Sequence, residues 1–396
     1  MGKPEKLDAP IFHTAIIGAG ASGLFCAGSF QAHKIVLEAN ALPACKVAVS
    51  GGGKCNFSNR FISASNYESQ NKHFCKNALA AFRPEHFTAL LDAQNIPWEE
   101  RTHGRLFAKS AKDIVRFLVH RAQKNNTHLA LGTRVLNLRQ ENGLFLLSTS
   151  AGPVRARHLV LATGGLSFPS LGGSSFGIKM ARQLGLRTQP QRPVLCGLSF
   201  PKELRTRLAP LAGNSLPVVL RQGKYSVEDD LLFTHQGISG PSTLQLSLFW
   251  KPQLPVEINF LPDHAAAEIF MRNKNSRQLL STVLSPYLPG KTAKILLHPW
   301  DAPLCNATRA QLHAAEQTLH HFQFVPEGTS GYTKAEATAG GVDTREINPS
   351  TFEVRNVKNL FITGELLDVT GNLGGFNLHW AWASAFLAAQ ALKQRL

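Results

Sequence analysis

Gly18-Ala19-Gly20-Ala21-Ser22-Gly23 follows an apolar run, FHTAII, and precedes a run of small residues, LFCAGSF. A second apolar run, Ile35-Val36-Leu37, ends at Glu38, 20 residues after Gly18. Strand, glycine turn, helix, strand and acid stand where a dinucleotide-binding βαβ unit needs them. The chemistry is anion capture. Gly18 permits the tight turn, Gly20 lets a pyrophosphate approach the backbone, and Gly23 lets helix and sheet pack closely. Free N–H groups and the dipole at the helix N-terminus favour the phosphates. Glu38 accepts hydrogen bonds from a ribose hydroxyl and disfavours a 2′-phosphate, so the site selects an unphosphorylated adenosine.

A second stretch, VSGGGKCNFSN at residues 49–59, concentrates glycine, lysine, cysteine and asparagine. Neither helix nor strand favours that composition. It reads as backbone that a ligand approaches closely, with Cys55 either reactive or packed. The six cysteines form no Cys-x-x-Cys or Cys-x4-Cys pair, which argues against zinc, a disulfide framework and a dithiol relay. A reduced, cytoplasmic setting is expected.

The surrounding pattern supplies the elements that hold these residues. SAKDIVRFLVHRAQK (110–124) reads as a helix, with Ser110 and Asp113 resembling a capping box and Ile114, Phe117 and Leu118 as its apolar face. Lys112, Arg116, His120 and Lys124 recur every four residues on that helix, as a solvated face or one turned to RNA. Residues 131–150 alternate like strands around a Glu141-Asn142-Gly143 turn, and HLVLATGGLSFP (158–169) runs a buried strand into a double-glycine turn. Residues 194–261 look mainly β and 264–322 mainly helical. The chain ends in a strand, a glycine-rich loop and a small-residue helix, which complete the first sheet. The expected fold is α/β: a discontinuous Rossmann-like domain from 1–192 and 346–396, a β-rich insert from 193–262 and 323–345, and a helical insert from 263–322.

Composition narrows the partners. The chain has 396 residues, with 42 Lys and Arg against 26 Asp and Glu, a formal charge of +16. That excess favours a polyanion, nucleic acid before membrane. The polar start, MGKPEKLDAP, has no apolar core of signal-peptide length, and no run approaches the ~20 apolar residues that span a bilayer. No metal is expected.

GAGASG, ATGG (162–165) and TGELLDVTG (363–371) together resemble the two-dinucleotide-binding-domain flavoproteins, which bind FAD. SGGGKCNFSN, ATGGLSFPSLGGSSFG, LLFTHQGISGP and GNLGGFN, in order along nearly the whole chain, resemble more narrowly the BaiN-like family of FAD-dependent oxidoreductases. The resemblance implies an FAD domain carrying a β-barrel-like insert and a small helical one. It implies that Gly18, Gly20, Ala21, Ser22 and Gly23 cradle the pyrophosphate, and that Glu38 and Ala39 hold the adenosine ribose. Lys46, Ser50, Gly51, Gly52, Gly53, Lys54, Cys55 and Asn56 pass along the flavin and its phosphates, and Val135 offers backbone to the adenine. Thr163, Gly164 and Gly165 lie under the cofactor; Gly364, Glu365 and Asp368 meet its ribityl and phosphate portion. Gly371, Gly374, Gly375, Phe376 and Asn377 place a loop and helix N-terminus at the pyrimidine end of the ring. Cys45 and Lys54 stand where family members often carry arginine; Lys54 keeps the charge without the bidentate geometry.

Reduction of a double bond by a flavin needs a hydride and a proton donor. Cys55, His235, Tyr332 and Lys334 are the candidate acids, Cys55 and His235 foremost; each of these two also has a structural reading, as packing or as a histidine holding the insert. With one dinucleotide fingerprint in the chain, NAD(P)H, if it is the reductant, must visit transiently and leave. The family resemblance offers two substrates, uridine of large-subunit ribosomal RNA and bile-acid intermediates. The charge favours RNA, whose phosphates need Lys and Arg, with Lys112, Arg116 and Lys124 as candidate contacts. The alternatives are a reductase of a steroid-like small molecule and a non-catalytic RNA-binding assembly factor.

Overall fold

The computed structural model describes residues 10–396; residues 1–9 of the polar amino-terminal stretch lie outside them. The chain divides into two units, one built from residues up to Arg192 together with Ala337–Leu396, the other from Pro193–Glu336.

In the first unit, parallel strands run in the order Thr127–Ala130, Lys34–Leu37, Ile11–Ile17, Gly152–Leu161 and Leu360–Ile362. The sequence KIVL is buried at every position, as a strand covered on both faces requires. A hairpin, Val135–Glu141 and Leu144–Thr149, pairs antiparallel with the start of Gly152–Leu161. Its two-residue turn has Asn142 at φ 50° and Gly143 at φ 77°, the left-handed pair a tight hairpin needs. Helix Ala21–Ala27 packs against the terminal helix Phe376–Lys393, which is nearly enclosed.

Ring contacts tie the glycine-rich stretch into this core. Phe57 lies 5.1 Å from Phe87, which lies 4.9 Å from Trp382. Burying each phenylalanine contributes about 1.5–3 kcal/mol. The Trp382 indole N–H donates to Phe57 O at 2.9 Å, so its burial leaves no polar group unpaired.

Helix Ala111–Lys124 buries Ile114, Phe117 and Leu118 as its spacing predicts. The expected capping box is absent. Ser110 occupies the N-cap but makes no side-chain cap bond, and the Asp113 carboxylate turns to Arg116 at 2.6 Å.

The second unit holds a seven-stranded antiparallel sheet, ordered Phe322–Phe324, Val256–Asn259, Ser215–Gln222, Tyr225–Phe233, Gly237–Ser239, Leu198–Ser199, Gly328–Thr329. Its two edge strands are separated in the chain only by residues 325–327. That connection reaches at most ~14 Å, whereas six flat interstrand steps span ~29 Å. The sheet therefore rolls toward a barrel. The helical segment shares its core: Leu280, Leu284, Leu296, Leu297 and Leu319 pack in one cluster with Leu220, Leu231, Phe233 and Ile258.

The first unit resumes at Ala337, earlier than the expected 346. Strand Ala337–Val342 runs against the 188–192 stretch so closely that a Cβ on Gly340 would lie 2.1 Å from Pro190 O.

Candidate active site

Strands Ile11–Ile17 and Gly152–Leu161 are parallel neighbours, and the strand order reverses between them. Open α/β sheets bind ligands at such a point, beyond the carboxyl ends of the strands. Both glycine turns, 18–23 and 162–165, leave the sheet there.

The geometry separates the roles of the three fingerprint glycines. Gly18 has φ +107°, and a Cβ on it would lie 2.5 Å from Ala162 O. A Cβ on Gly23 would lie 1.9 Å from Gly18 O. These two close the protein on itself. A Cβ on Gly20 would meet nothing within 4 Å, so its space is open for a ligand. Glu38 is aimed at the same turn, its Oε2 accepting the Ala19 N–H at 2.8 Å and its Oε1 that of Asn40 at 2.9 Å. Thr133 N–H donates to Glu38 O at 2.7 Å, bringing the approach to Val135 alongside.

Helix Cys45–Gly53 loses helical dihedrals at Ser50, and Gly51 and Gly52 turn left-handed at φ 56° and 66°. Gly51 to Lys54 are exposed, while Cys55 and Phe57 are buried. The stretch thus presents its glycine backbone outward from a buried anchor.

Cys55 belongs to that anchor. It is 0% exposed, and burial pushes its thiol up to about 12. Of its two readings, the geometry favours packing.

Lys46 and Glu365 meet each other. Lys46 Nζ lies 2.6 Å from Glu365 Oε2 and donates to Ser167 Oγ at 3.1 Å. The carboxylate also accepts from Ser167 Oγ, Thr338 N–H and Gly165 N–H, at 3.1, 2.8 and 3.2 Å. Burial opposes its ionisation, but Lys46 and these donors prevail and hold its pKa below the ordinary value. Thr338 Oγ1 accepts the N–H groups of Leu166 and Ser167, fixing the loop beyond ATGG. Sequence spacing carried no sign of Ser167 or Thr338, which come from separate segments.

The asparagines serve the loops. Asn377 holds Gly371 from both sides, Oδ1 accepting its N–H at 2.8 Å and Nδ2 donating to its carbonyl at 3.0 Å. Asn56, with its amide oriented to satisfy its neighbours, accepts from Gly375 N–H at 3.1 Å and donates to Leu106 O and Ser58 O. Their side chains therefore set the loop before helix Phe376–Lys393, where sequence reading placed them on the cofactor. Asp368 is 6% exposed, accepts the Gln70 N–H at 2.9 Å, and has its pKa raised by burial. Gly364 sits at φ +72° beside Ser22, and its N–H donates to Ser384 Oγ at 2.9 Å.

These features fit a dinucleotide. Gly20, Gly52 and Gly53 leave open space where side chains would intrude, and the buried Thr163 Oγ1 has no hydrogen-bond partner among the described residues.

His235 is exposed in the turn between Tyr225–Phe233 and Gly237–Ser239 of the second unit, a turn closed by Thr234 Oγ1 accepting the Gln236 and Gly237 N–H groups. In that unit Lys334 is exposed and Tyr332 half-buried. Lys112, Arg116, His120 and Lys124 are exposed on their helix in the first unit. Among the described residues no cluster of three or more His, Cys, Asp or Glu is arranged to hold a metal ion, and no helix is long and apolar enough to cross a membrane.

Residues 12–391 match the model of the HI0933-like protein Rossmann domain. The chain belongs to this family. The curated proteins it resembles include a ribosomal RNA dihydrouridine synthase of Escherichia coli (strain K12), 41% identical over 96% of this chain and 98% of that one. A 3-dehydro-bile acid delta(4,6)-reductase of Clostridium scindens is 28% identical over the same shares. Among solved structures, the Mycobacterium smegmatis Sdh1 complex in the apo form matches with TM-score 0.50 and 15% identity, over 98% of this chain and 69% of that one, a likeness of fold alone. This HI0933-like chain has a Rossmann-type FAD-binding fold and is an FAD-dependent oxidoreductase.

Proposed function

We propose that this protein reduces the C5–C6 double bond of a uridine in ribosomal RNA to dihydrouridine, with NAD(P)H as a transient reductant. The reading is carried by the 41% identity to a protein named for that activity, over nearly the full length of both. Charge supports it. The first unit has 29 Lys and Arg against 15 Asp and Glu, the second 13 against 11. The positive excess thus lies on the unit that carries the dinucleotide site, where RNA phosphates need it.

FAD, when bound, supplies hydride chemistry. The chain does the rest. Gly18 to Gly23 receive the pyrophosphate, Glu38 orients a ribose hydroxyl, and Gly51 to Lys54 give an open backbone surface. Asn56 and Asn377 hold the 371–377 loop in shape. Cys55 packs. Lys112 and Lys124 hold RNA phosphates, with Arg116 partly neutralised by Asp113.

The test incubates FAD-loaded protein and NAD(P)H with unmodified ribosomal RNA and measures dihydrouridine. Absence of product while the flavin reduces normally overturns the reading. Turnover of unsaturated steroid-like compounds, unaffected by RNA or salt, would favour a small-molecule reductase, the activity for which the 28% identical relative is named.

A further inference from the structure

Phe61 is 67% exposed, and among the described residues it is the one phenylalanine or tryptophan left on the surface to that degree. A single exposed ring is ordinary on a protein surface, so its meaning rests on its setting. Its position is held firmly. Asn59, 2% exposed, accepts the Phe61 N–H at 2.9 Å through Oδ1. Its Nδ2 donates to His103 O at 3.1 Å and to Gly374 O at 3.0 Å. At the other end of the segment, Asn66 O accepts the Asn372 N–H at 2.9 Å. Both ends of 59–66 are thus fastened to the 371–375 loop. The ring itself lies over Gly104, at φ +68°, where a Cβ would be 2.7 Å from Phe61 Cδ2.

The charge beside the ring is suited to a polyanion. Arg105 follows Gly104, and its guanidinium donates to Thr102 O at 3.1 Å and Thr102 Oγ1 at 3.4 Å rather than to a carboxylate. Its other N–H donors remain for a ligand. The nearby acids Glu100 and Glu85 are taken up by Arg60, at 3.0 and 3.4 Å. Arg105 also borders the cofactor loop, with its Cγ 3.5 Å from where a Cβ of Gly374 would stand.

We propose that Phe61 and Arg105 form an RNA-docking lip, in which the ring stacks on an unpaired base flanking the reacting uridine and Arg105 takes a backbone phosphate. An aromatic face and an adjacent cation are what single-stranded nucleic acid binds. The inference rests on the RNA reading of the preceding subsection.

The experiment compares FAD-loaded wild type, F61A, F61W and R105Q for affinity to unmodified ribosomal RNA and for dihydrouridine formation. FAD content and unfolding midpoint serve as the fold check, since an exposed ring contributes little to the core. F61A should bind RNA about tenfold more weakly, F61W should bind like wild type, and R105Q should lower the salt slope of binding by ~1. F61A binding within twofold of wild type overturns the lip and leaves the uridine reading standing. A wild type that neither binds the RNA nor forms dihydrouridine removes both. Slower turnover of a small enone by F61A without RNA would assign the ring to a small substrate and also overturn the lip.

Discussion

Lys46 Nζ lies 2.6 Å from Glu365 Oε2, joining residues 319 apart in the chain beneath the ATGG turn. The pair is mostly shielded, with side-chain exposures of 33% and 21%, and each partner makes further hydrogen bonds to the same loops. It locks the cofactor-side loops of two strands, Gly152–Leu161 and Leu360–Ile362.

Removing either partner should destabilise the protein by about 2–3 kcal/mol, because the other is left without its charge. The pH dependence carries the signature. Glu365 titrates below its ordinary value, so its contribution is full at neutral pH and lost as pH falls through that depressed value. In K46M burial prevails, and acid destabilisation should begin at higher pH than in wild type. Urea unfolding from pH 4 to 7 measures this, and superimposable profiles would refute the pair's role.

Gly20 and Gly23 should fail differently. Gly23→Ala forces a Cβ against Gly18 O and should cost about 1–3 kcal/mol. Gly20→Ala meets open space at φ −83°, so the FAD-free protein should unfold as wild type does. Its FAD dissociation constant should rise about tenfold or more as the methyl fills the cradle. Flavin fluorescence titration and thermal unfolding separate the two outcomes.

On the proposed activity, Cys55→Ala should retain dihydrouridine formation within a few-fold and lose about 1–2 kcal/mol to the small cavity. The thiol's pKa rises from 9.0 to about 12 on folding, so its contribution is present below pH 9 and lost as pH climbs toward 12. The C55A protein should lack that alkaline loss. A hundredfold drop in product formation by a well-folded C55A would return Cys55 to the chemistry.

His379 is fully buried between Ser58 Oγ at 2.9 Å and Phe82 O at 3.0 Å, and burial lowers its pKa to about 4. An unfolded histidine takes up a proton near pH 6.5. Stability should therefore be complete above that pH and fall by about 3 kcal/mol as pH drops toward 4. His379→Gln should flatten this limb in urea unfolding, and an unchanged limb would exclude His379 as its source.

On the proposed RNA reading, reversing Lys112 and Lys124 together should weaken ribosomal RNA binding and lower the salt slope by ~2. R116A should change the slope less, since Asp113 already lies 2.6 Å from Arg116. Filter binding across a salt series decides; equal slopes for all variants would place the RNA elsewhere.

Much of the fold is legible in short windows. The FHTAII strand, its glycine turn, the 110–124 helix and the Asn142-Gly143 hairpin follow from periodicity and backbone sterics, which act over a few residues. The reciprocal half of the capping box failed within such a window, the Asp113 carboxylate going to a cation one turn on. Asn56 and Asn377 were legible as special positions but not as loop braces, since their partners are backbone atoms that composition does not reveal.

The sequence by itself determined the dinucleotide fingerprint, the reversal of hydrophobic period between segments, the basic excess and the motif set that marks the family. Each is local, or a sum over residues, and needs no chain closure. Only the tertiary structure decided that Lys46 answers Glu365, that Cys55 is sealed in the core, that the insert's helices share one core with its sheet, and that Phe61 is held outward over Gly104. Those outcomes depend on which distant segments meet once the sheet has formed, and pairings across hundreds of residues leave no period to read.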